Sequence, residues 1–203
     1  MATLISFCGG KENFTERLEA LFEEDLFNPG NEPSFNSPYL YNYVGRQDLS
    51  VQRSRAVAKK HYSADPDGLP GNSDAGAMES WIIWNMIGLY PITGQPIFLI
   101  GSPWFEDLRI DLGGGRALEI TSEGGSDDAY QVQSLEVNGK PWNKAWISWE
   151  DVFAQGGSLH FVLGPDAKDW ATGLLPPTPA SEAGFASEYF DGLEPAPSVV
   201  EMM

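Results

Sequence analysis

The stretch PDGLPGNSDAGAMESWIIWNMIGLYP, residues 66–91, joins a turn-rich segment directly to the most apolar run of the chain. Residues 66–76 combine prolines and glycines with two aspartates and an asparagine, a composition typical of a loop. From Ala75 to Leu89, apolar residues fall on nearly all sides of a helix, which predicts that this helix is buried. A carboxylate-bearing loop therefore lies directly against a buried helix.

Composition restricts the classes of function that this chain of 203 residues can have. Its formal net charge of −17 argues against binding to nucleic acid or to an anionic membrane surface. The single Cys8 excludes an intramolecular disulfide and a cysteine zinc site. No apolar run is long enough to span a membrane, and the N-terminus predicts no signal peptide.

The pattern of apolar residues predicts an α+β chain with a helical first half. Besides Ala75–Leu89, helical spacing predicts helices at Lys11–Asp25, Ser37–Tyr43 and Ser50–Tyr62, the last with Ser50 as its N-cap. We therefore assign residues 1–92 to a helical segment.

Short alternating segments with glycine-rich turns then predict an antiparallel β segment at residues 93–165. The strands are expected at residues 97–101, 107–112, 117–121, 130–138, 144–149 and 158–164. The sequence VNGKPW, residues 137–142, is a strong hairpin signal. Residues 166–203 carry seven acidic residues against one lysine and predict a disordered acidic tail.

Two turns place a carboxylate before a predicted helix: Glu32 before one helix and Asp74 before another. A helix N-terminus favours a negative group, so Asp74 as the N-cap of the helix from Ala75 is one interpretation. Carboxylate and amide oxygens on glycine-rich turns also suit calcium or the hydroxyl groups of a sugar. Paired carboxylates catalyse glycoside hydrolysis, one as acid and one as base. The residues alone leave these interpretations open.

Several long motifs occur in an order that resembles glycoside hydrolase family 92. They are GNEPSFNSPYLYNY (30–43), residues 66–91, FLIGSPWF (98–105) and the segments at 9–24 and 136–164. The resemblance covers roughly residues 4–164. It implies a calcium-dependent, inverting exo-α-mannosidase that acts on glycoprotein N-glycans or other α-mannosides. It also implies that the helices belong to a partial (α/α)6 barrel and that the β segment is sandwich-like.

The resemblance also implies roles for particular residues. Asp74 occupies the position of the general base, and Asn72 that of a neighbouring carboxylate in many members. Glu32 and Asn31 match a turn that lines the sugar and the calcium ion. Trp104 is a candidate for stacking on a sugar ring, whereas Trp81 and Trp84 are expected in the core.

The sequence departs from the family pattern at informative positions. Phe35 and Asn36 stand where many members carry two histidines, and Ser73 and Ala77 replace an acidic residue and a glutamine. The motif Glu-Gly-Asn…Trp-Gln-Tyr, which carries the family's proton-donating glutamate, does not occur in this chain.

Two functions follow from this pattern. The first is that of a mannosidase fragment, inactive alone because it lacks the acid and prone to self-association through exposed apolar helices. The second is that of a non-catalytic remnant that binds carbohydrate or a partner through its β segment.

Overall fold

The computed structural model of the chain describes residues 1–178. These residues form two units, one of residues 1–28 with 176–178 and the other of residues 29–175. Within the described residues, no helix is both long enough and apolar enough to cross a membrane.

The N-terminal unit contains two helices. Helix α1, Ala2–Phe7, has no amphipathic pattern long enough to be predicted. Helix α2, Lys11–Glu23, confirms the prediction from apolar spacing and buries Phe14 and Leu18. Its acidic and basic residues lie between these apolar positions, as expected for a helix that covers a small core.

The larger unit begins with two short 3₁₀ helices, Glu32–Ser34 and Ser37–Val44, followed by helix α3, Gln47–His61. The prediction that α3 starts with Ser50 as its N-cap is wrong, since Arg46 is the N-cap and Ser50 is fully buried. The buried Gln47 side chain donates hydrogen bonds to the carbonyl of Ile100 at 3.3 Å and to that of Gly101 at 3.0 Å. These long-range bonds attach the first turn of the helix to a strand.

Helix α4, Ala77–Ile87, is shorter than the predicted Ala75–Leu89. Its N-cap is Gly76, with no side-chain cap, so the interpretation of Asp74 as the helix cap is wrong. Gly88 ends the helix in the left-handed region, with φ 83°, and a Cβ there would lie 2.5 Å from the nitrogen of Pro103. Only glycine fits this position without displacing the backbone.

The apolar residues of α4 have several different neighbours. Met78 and Trp81 are buried, while Trp84 and Ile87 pack against the core of the β segment. Ile83 is 54% exposed, so the prediction of burial on all sides is wrong for this part of the helix. The core positions predicted for Trp81 and Trp84 are confirmed.

Eight strands form two sheets, and one short helix, α5, Trp149–Val152, lies between the last two strands in the sequence. The strands are β1 Leu89–Pro91, β2 Ile97–Ile100, β3 Asp107–Gly113, β4 Arg116–Glu123, β5 Gln131–Val137, β6 Lys140–Trp142, β7 Trp146–Ser148 and β8 Gly157–Gly164. One sheet has the order β1-β2-β7 and the other β3-β4-β8-β5-β6. Buried residues of both sheets form one core, as in the sandwich-like arrangement expected.

One strand pair corrects the prediction of a wholly antiparallel segment. Strands β4 and β8 are parallel, with Ile120 opposite Leu159, whereas the other pairs are antiparallel. The long connection through β5, β6, β7 and α5 lets the chain return beside β4 in the same direction. The predicted hairpin is confirmed, since Asn138 and Gly139 both have positive φ between β5 and β6.

The tail is ordered where Trp170 packs, which corrects the prediction of disorder from residue 166. Trp170 is 8% exposed, belongs to the sheet core and donates its indole hydrogen to Gln47 Oε1 at 3.0 Å. An aromatic side chain with a buried partner offsets the acidic, proline-rich composition around it. Residues 179–203 of the predicted tail lie outside the described residues, and membership of the helices in a barrel stays a prediction.

The buried Tyr39 and the partly buried Tyr62 and Tyr90 make the stability of the fold sensitive to alkaline pH. Burial raises the pKa of Tyr39 and Tyr90 well above the ordinary 10.0 and that of Tyr62 to about 12. The unfolded chain loses these protons near pH 10 while the folded chain keeps them. The unfolded state then binds fewer protons, so the free energy of unfolding falls as pH rises from 10 to 12.

We expect Tyr90→Phe to make this fall shallower, because one raised tyrosine is removed. Urea unfolding followed at several pH values between 8 and 12 measures both slopes. Equal slopes for the two proteins would contradict the assignment.

Candidate functional site

The two polar turns predicted to carry the chemistry meet through their glycine backbones. A Cβ at Gly71 would lie 3.0 Å from both Cα and O of Gly30, and 3.2 Å from Cε of the buried Met78. Such distances are tighter than a side chain normally tolerates, so the close approach depends on glycine. Glu32 follows Gly30 by two positions and Asp74 follows Gly71 by three. The turn that precedes Glu32 and the turn that precedes Asp74 are therefore in backbone contact.

The side chains of this region face solvent to different extents. Asn31, Asn72 and Asp74 are exposed, while Glu32 is half-buried. An exposed carboxylate keeps access to water and to a polar ligand, and it requires no buried counter-charge. The candidate site in this chain is therefore an open polar surface.

The backbone that carries Asp74 has an unusual conformation. Asp74, Ala75 and Gly76 follow one another with φ values of 46°, 60° and 87°, all in the left-handed region. Non-glycine residues seldom occupy this region, and aspartate tolerates it better than alanine. The two residues before Gly76 therefore depend on surrounding contacts to hold their shape.

Hydrogen bonds of Ser73 connect the residue before Asp74 with the residues that follow Ala75. Ser73 Oγ lies 2.9 Å from both Oε1 and Oε2 of Glu79, and it accepts a hydrogen bond from the Gly76 amide at 3.2 Å. The Ala77 amide donates to the Ser73 carbonyl at 2.8 Å. We call Ser73 and Glu79 the clasp, because they connect the loop to the first turn of α4. From the sequence alone, Ser73 stands out only as a departure from the family pattern.

The other turn is fixed to α4 by Trp81, a residue predicted only as core. Its indole nitrogen donates to the carbonyl of Phe35 at 2.9 Å, just after the 3₁₀ helix that contains Glu32. Its ring stacks on Tyr62 at 5.3 Å and meets the edge of Tyr39 at 6.3 Å. The turn that contains Glu32 is thereby attached to a cluster of aromatic side chains.

A stacked tyrosine pair, of which Tyr39 is buried, packs against Trp81 through Tyr39. Tyr39 stacks on Tyr90 with ring centroids 4.1 Å apart and accepts a hydrogen bond from Asn85 Nδ2 at 2.8 Å. Burial raises the pKa of the Tyr39 hydroxyl, so it stays protonated at neutral pH. These contacts link the second 3₁₀ helix to both α4 and β1.

Trp104 lies at the other end of α4 from these polar residues. Its amide donates to the carbonyl of Met86, in the last turn of the helix, about 14 Å along the axis from Ala77. The Arg55 guanidinium lies 4.8 Å from the centre of its ring. Burial lowers the pKa of Arg55 to about 10, so the group remains cationic at neutral pH. The structure does not group Trp104 with Glu32 and Asp74.

An apolar cavity of 610 Å³ opens between α3 and α4. Its lining includes Tyr62, Leu69, Ile82, Ile83 and Met86, together with Lys59 and Glu79. Trp104 contributes to the same wall. The exposed side chain of Ile83 makes this face of α4 a candidate contact surface rather than part of the polar site.

The donor set does not by itself fit a calcium ion. Calcium takes six to eight oxygen ligands, commonly with several carboxylates. No group of three or more histidine, cysteine, aspartate or glutamate residues that could hold a metal occurs within residues 1–178. Glu32 and Asn31 would supply at most part of such a shell.

Comparison with known proteins finds a matching family model and several similar proteins. The glycosyl hydrolase family 92 catalytic domain model matches residues 1–165. A protein of Arthroderma benhamiae described as an uncharacterized secreted glycosidase is 35% identical over 187 residues, which are 91% of this chain and 24% of that protein.

Two mannosidases of known structure are also similar. A family GH92 alpha-mannosidase from Bacteroides thetaiotaomicron, solved alone and in complex with mannoimidazole, is 32% identical. The structure solved alone gives a TM-score of 0.79 over 84% of this chain and 24% of that chain. A family GH92 inverting mannosidase from the same species is 26% identical, with a TM-score of 0.64 over 69% of this chain and 19% of that chain. This chain spans a quarter or less of the length of each of these proteins.

The hydrogen bond from Trp81 can be tested by a substitution that keeps an aromatic ring. In Trp81→Phe the Phe35 carbonyl loses its donor, so we expect a loss of about 1–3 kcal/mol in the free energy of unfolding. We also expect faster amide hydrogen exchange around Glu32. Urea unfolding and exchange measured by NMR check both. Trp84→Phe removes an indole on the same helix without touching this turn, and equal exchange in the two variants would contradict the role of Trp81.

Proposed function

The chain belongs to glycosyl hydrolase family 92, and we propose that it carries the water-activating half of a mannosidase active site. The contact between Gly30 and Gly71 is the observation that supports this proposal most strongly, because it joins the turns before Glu32 and Asp74. The proposed substrates are α-mannosides, including those of glycoprotein N-glycans, and the proposed reaction inverts the anomeric centre.

In this proposal Asp74 is the general base. Its carboxylate takes a proton from a water molecule while the water oxygen forms a bond to the anomeric carbon. Asn72, two residues earlier and also exposed, orients that water or a sugar hydroxyl through its amide. Glu32 and Asn31 accept hydrogen bonds from hydroxyl groups of the sugar.

Inversion also requires a general acid to protonate the leaving group. As the bond to the leaving group breaks, the leaving oxygen takes a proton from a second carboxylic acid on the opposite face of the sugar. In inverting enzymes the two carboxyl groups lie about 6.5–9.5 Å apart. The proton-donor motif of the family is not present in the sequence. We therefore propose that the chain alone binds the sugar without hydrolysing it.

We also propose that Glu32 and Asn31 form part of a calcium site. Glu32 and Asn31 would contribute two of the six to eight oxygen ligands that calcium takes. Such an ion would polarise sugar hydroxyls and help to orient them. The roles proposed for Asp74 and Asn72 do not depend on it.

The proposal predicts that mannoimidazole, the compound bound by the solved mannosidase, binds at the two turns. We expect amide shifts at Asn31, Glu32, Asn72 and Asp74 in a titration followed by NMR. Asp74→Asn and Glu32→Gln should each weaken binding about tenfold, since each removes a charge-assisted hydrogen bond. Asp67→Asn, which changes an exposed aspartate of the same loop, is the matched control.

The same titration distinguishes the second candidate function, a non-catalytic carbohydrate-binding surface on the β segment. Trp149 is 45% exposed, and its ring stacks on Phe153 at 5.1 Å, leaving an aromatic surface open to solvent. Shifts confined to the Trp149 indole would favour that function. They would contradict a site at Asp74.

We predict no turnover of an aryl α-mannoside by the isolated chain, with or without calcium. Protonation of the leaving group is commonly worth about 10²–10⁴-fold in rate. Release of the aryl group measured against a buffer blank tests this. Turnover that Asp74→Asn abolishes would show that another residue of the chain acts as the acid.

We further propose that the chain associates with itself through the apolar face around Ile83. This side chain is 54% exposed at the rim of the 610 Å³ cavity. Light scattering coupled to size exclusion should show oligomers for the natural chain and a monomer for Ile83→Glu, because a charge there cannot be buried without a partner. Leu174→Glu is the control, since Leu174 is 77% exposed and lies outside the cavity lining. A monomeric natural chain would refute this proposal.

A further inference from the structure

The loop before α4 holds Asp74 in a conformation that its own sequence does not favour. Asp74 and Ala75 have φ values of 46° and 60°, and neither is glycine. Residues in this region persist where surrounding contacts determine the backbone.

The clasp of Ser73 and Glu79 spans the strained residues. Ser73 Oγ lies 2.9 Å from each oxygen of the Glu79 carboxylate, so its hydroxyl hydrogen is donated to that group. The same oxygen accepts the Gly76 amide at 3.2 Å. One hydroxyl thus connects the residue before Asp74, the residue after Ala75 and the first turn of α4.

This arrangement differs from ordinary helix capping. The N-cap of α4 is Gly76, and no side chain caps it. Ser73 lies three positions before the N-cap, so its bond to Glu79 closes the loop rather than the helix end. The carboxylate of Glu79 in the first turn also interacts favourably with the helix dipole. The backbone bonds of α4, including the one from the Ala77 amide to the Ser73 carbonyl, do not depend on the serine side chain.

We propose that Ser73 and Glu79 are positioning residues that hold the Asp74 carboxylate toward the sugar, an inference that rests on the proposed function. Glu79, which accepts the hydrogen bond, lies on helix α4, while Ser73, which donates it, lies on the loop. Loss of either partner releases the left-handed run and lets Asp74 turn away from its neighbours. Glu79 therefore acts through Ser73 and does not itself contact the substrate.

The first measurement concerns the loop alone. In Ser73→Ala, which removes the acceptor of the Gly76 amide, we expect amide hydrogen exchange at Gly76 to accelerate about tenfold, the effect of losing one hydrogen bond. Glu79→Ala, which removes the acceptor of the Ser73 hydroxyl, should change the exchange in the same direction. The three-bond coupling of the Asp74 amide, which reports φ, should move toward that of extended backbone. Ser73→Thr keeps the hydroxyl and should preserve both values. Ser80→Ala, an exposed serine within α4, is the control.

The second measurement concerns the action through Asp74. Ser73→Ala should weaken mannoimidazole binding about tenfold in the natural chain but have no effect in an Asp74→Asn background. Equal weakening in both backgrounds would overturn the positioning role. Unchanged exchange and coupling in Ser73→Ala would overturn the clasp itself. If the natural chain binds no mannoimidazole while the loop measurements come out as expected, the proposed function fails, and with it the purpose assigned to the clasp.

Discussion

The close approach of Gly30 and Gly71 is the constraint on which the candidate site depends. A Cβ at Gly71 would meet both the Cα and the carbonyl oxygen of Gly30 at 3.0 Å, so two backbones touch where side chains would keep them apart. Met78, fully buried, fills the space beneath them. Two polar turns from different parts of the chain can share one surface because neither carries a side chain at the point of contact.

Helix α4 connects this surface to the rest of the larger unit. Trp81 holds the turn after Glu32 through the Phe35 carbonyl, and Trp84 packs against the sheet core. The connection continues through Asn42, whose buried amide donates to the carbonyls of Ile100 and Ala145. A buried amide with two backbone partners specifies one arrangement of helix and sheet, because any other leaves those groups unpaired.

The sequence predicted local features well and long-range ones poorly. Helix α2, the hairpin at Asn138 and Gly139 and most strands depend on spacing within a few residues, and they were predicted correctly. The parallel pairing of β4 with β8 and the packing of Trp170 depend on partners far along the chain. The same holds for the start of α3, which is fixed by the bonds of Gln47 to β2 and the residue after it. For the candidate site, motif resemblance indicated Glu32 and Asp74, but the supporting roles of Ser73, Glu79 and Trp81 required the three-dimensional contacts.

A nuclear Overhauser effect between the Hα protons of Gly30 and Gly71 tests the meeting of the two turns most directly. We predict a strong cross-peak, because one of the two hydrogens on the Gly71 Cα points toward the Cα of Gly30. The cross-peak between the Trp81 indole hydrogen and the residues around Phe35 serves as an internal reference for the folded state. A spectrum that contains the reference cross-peak but lacks the contact between the two glycines would contradict the shared site.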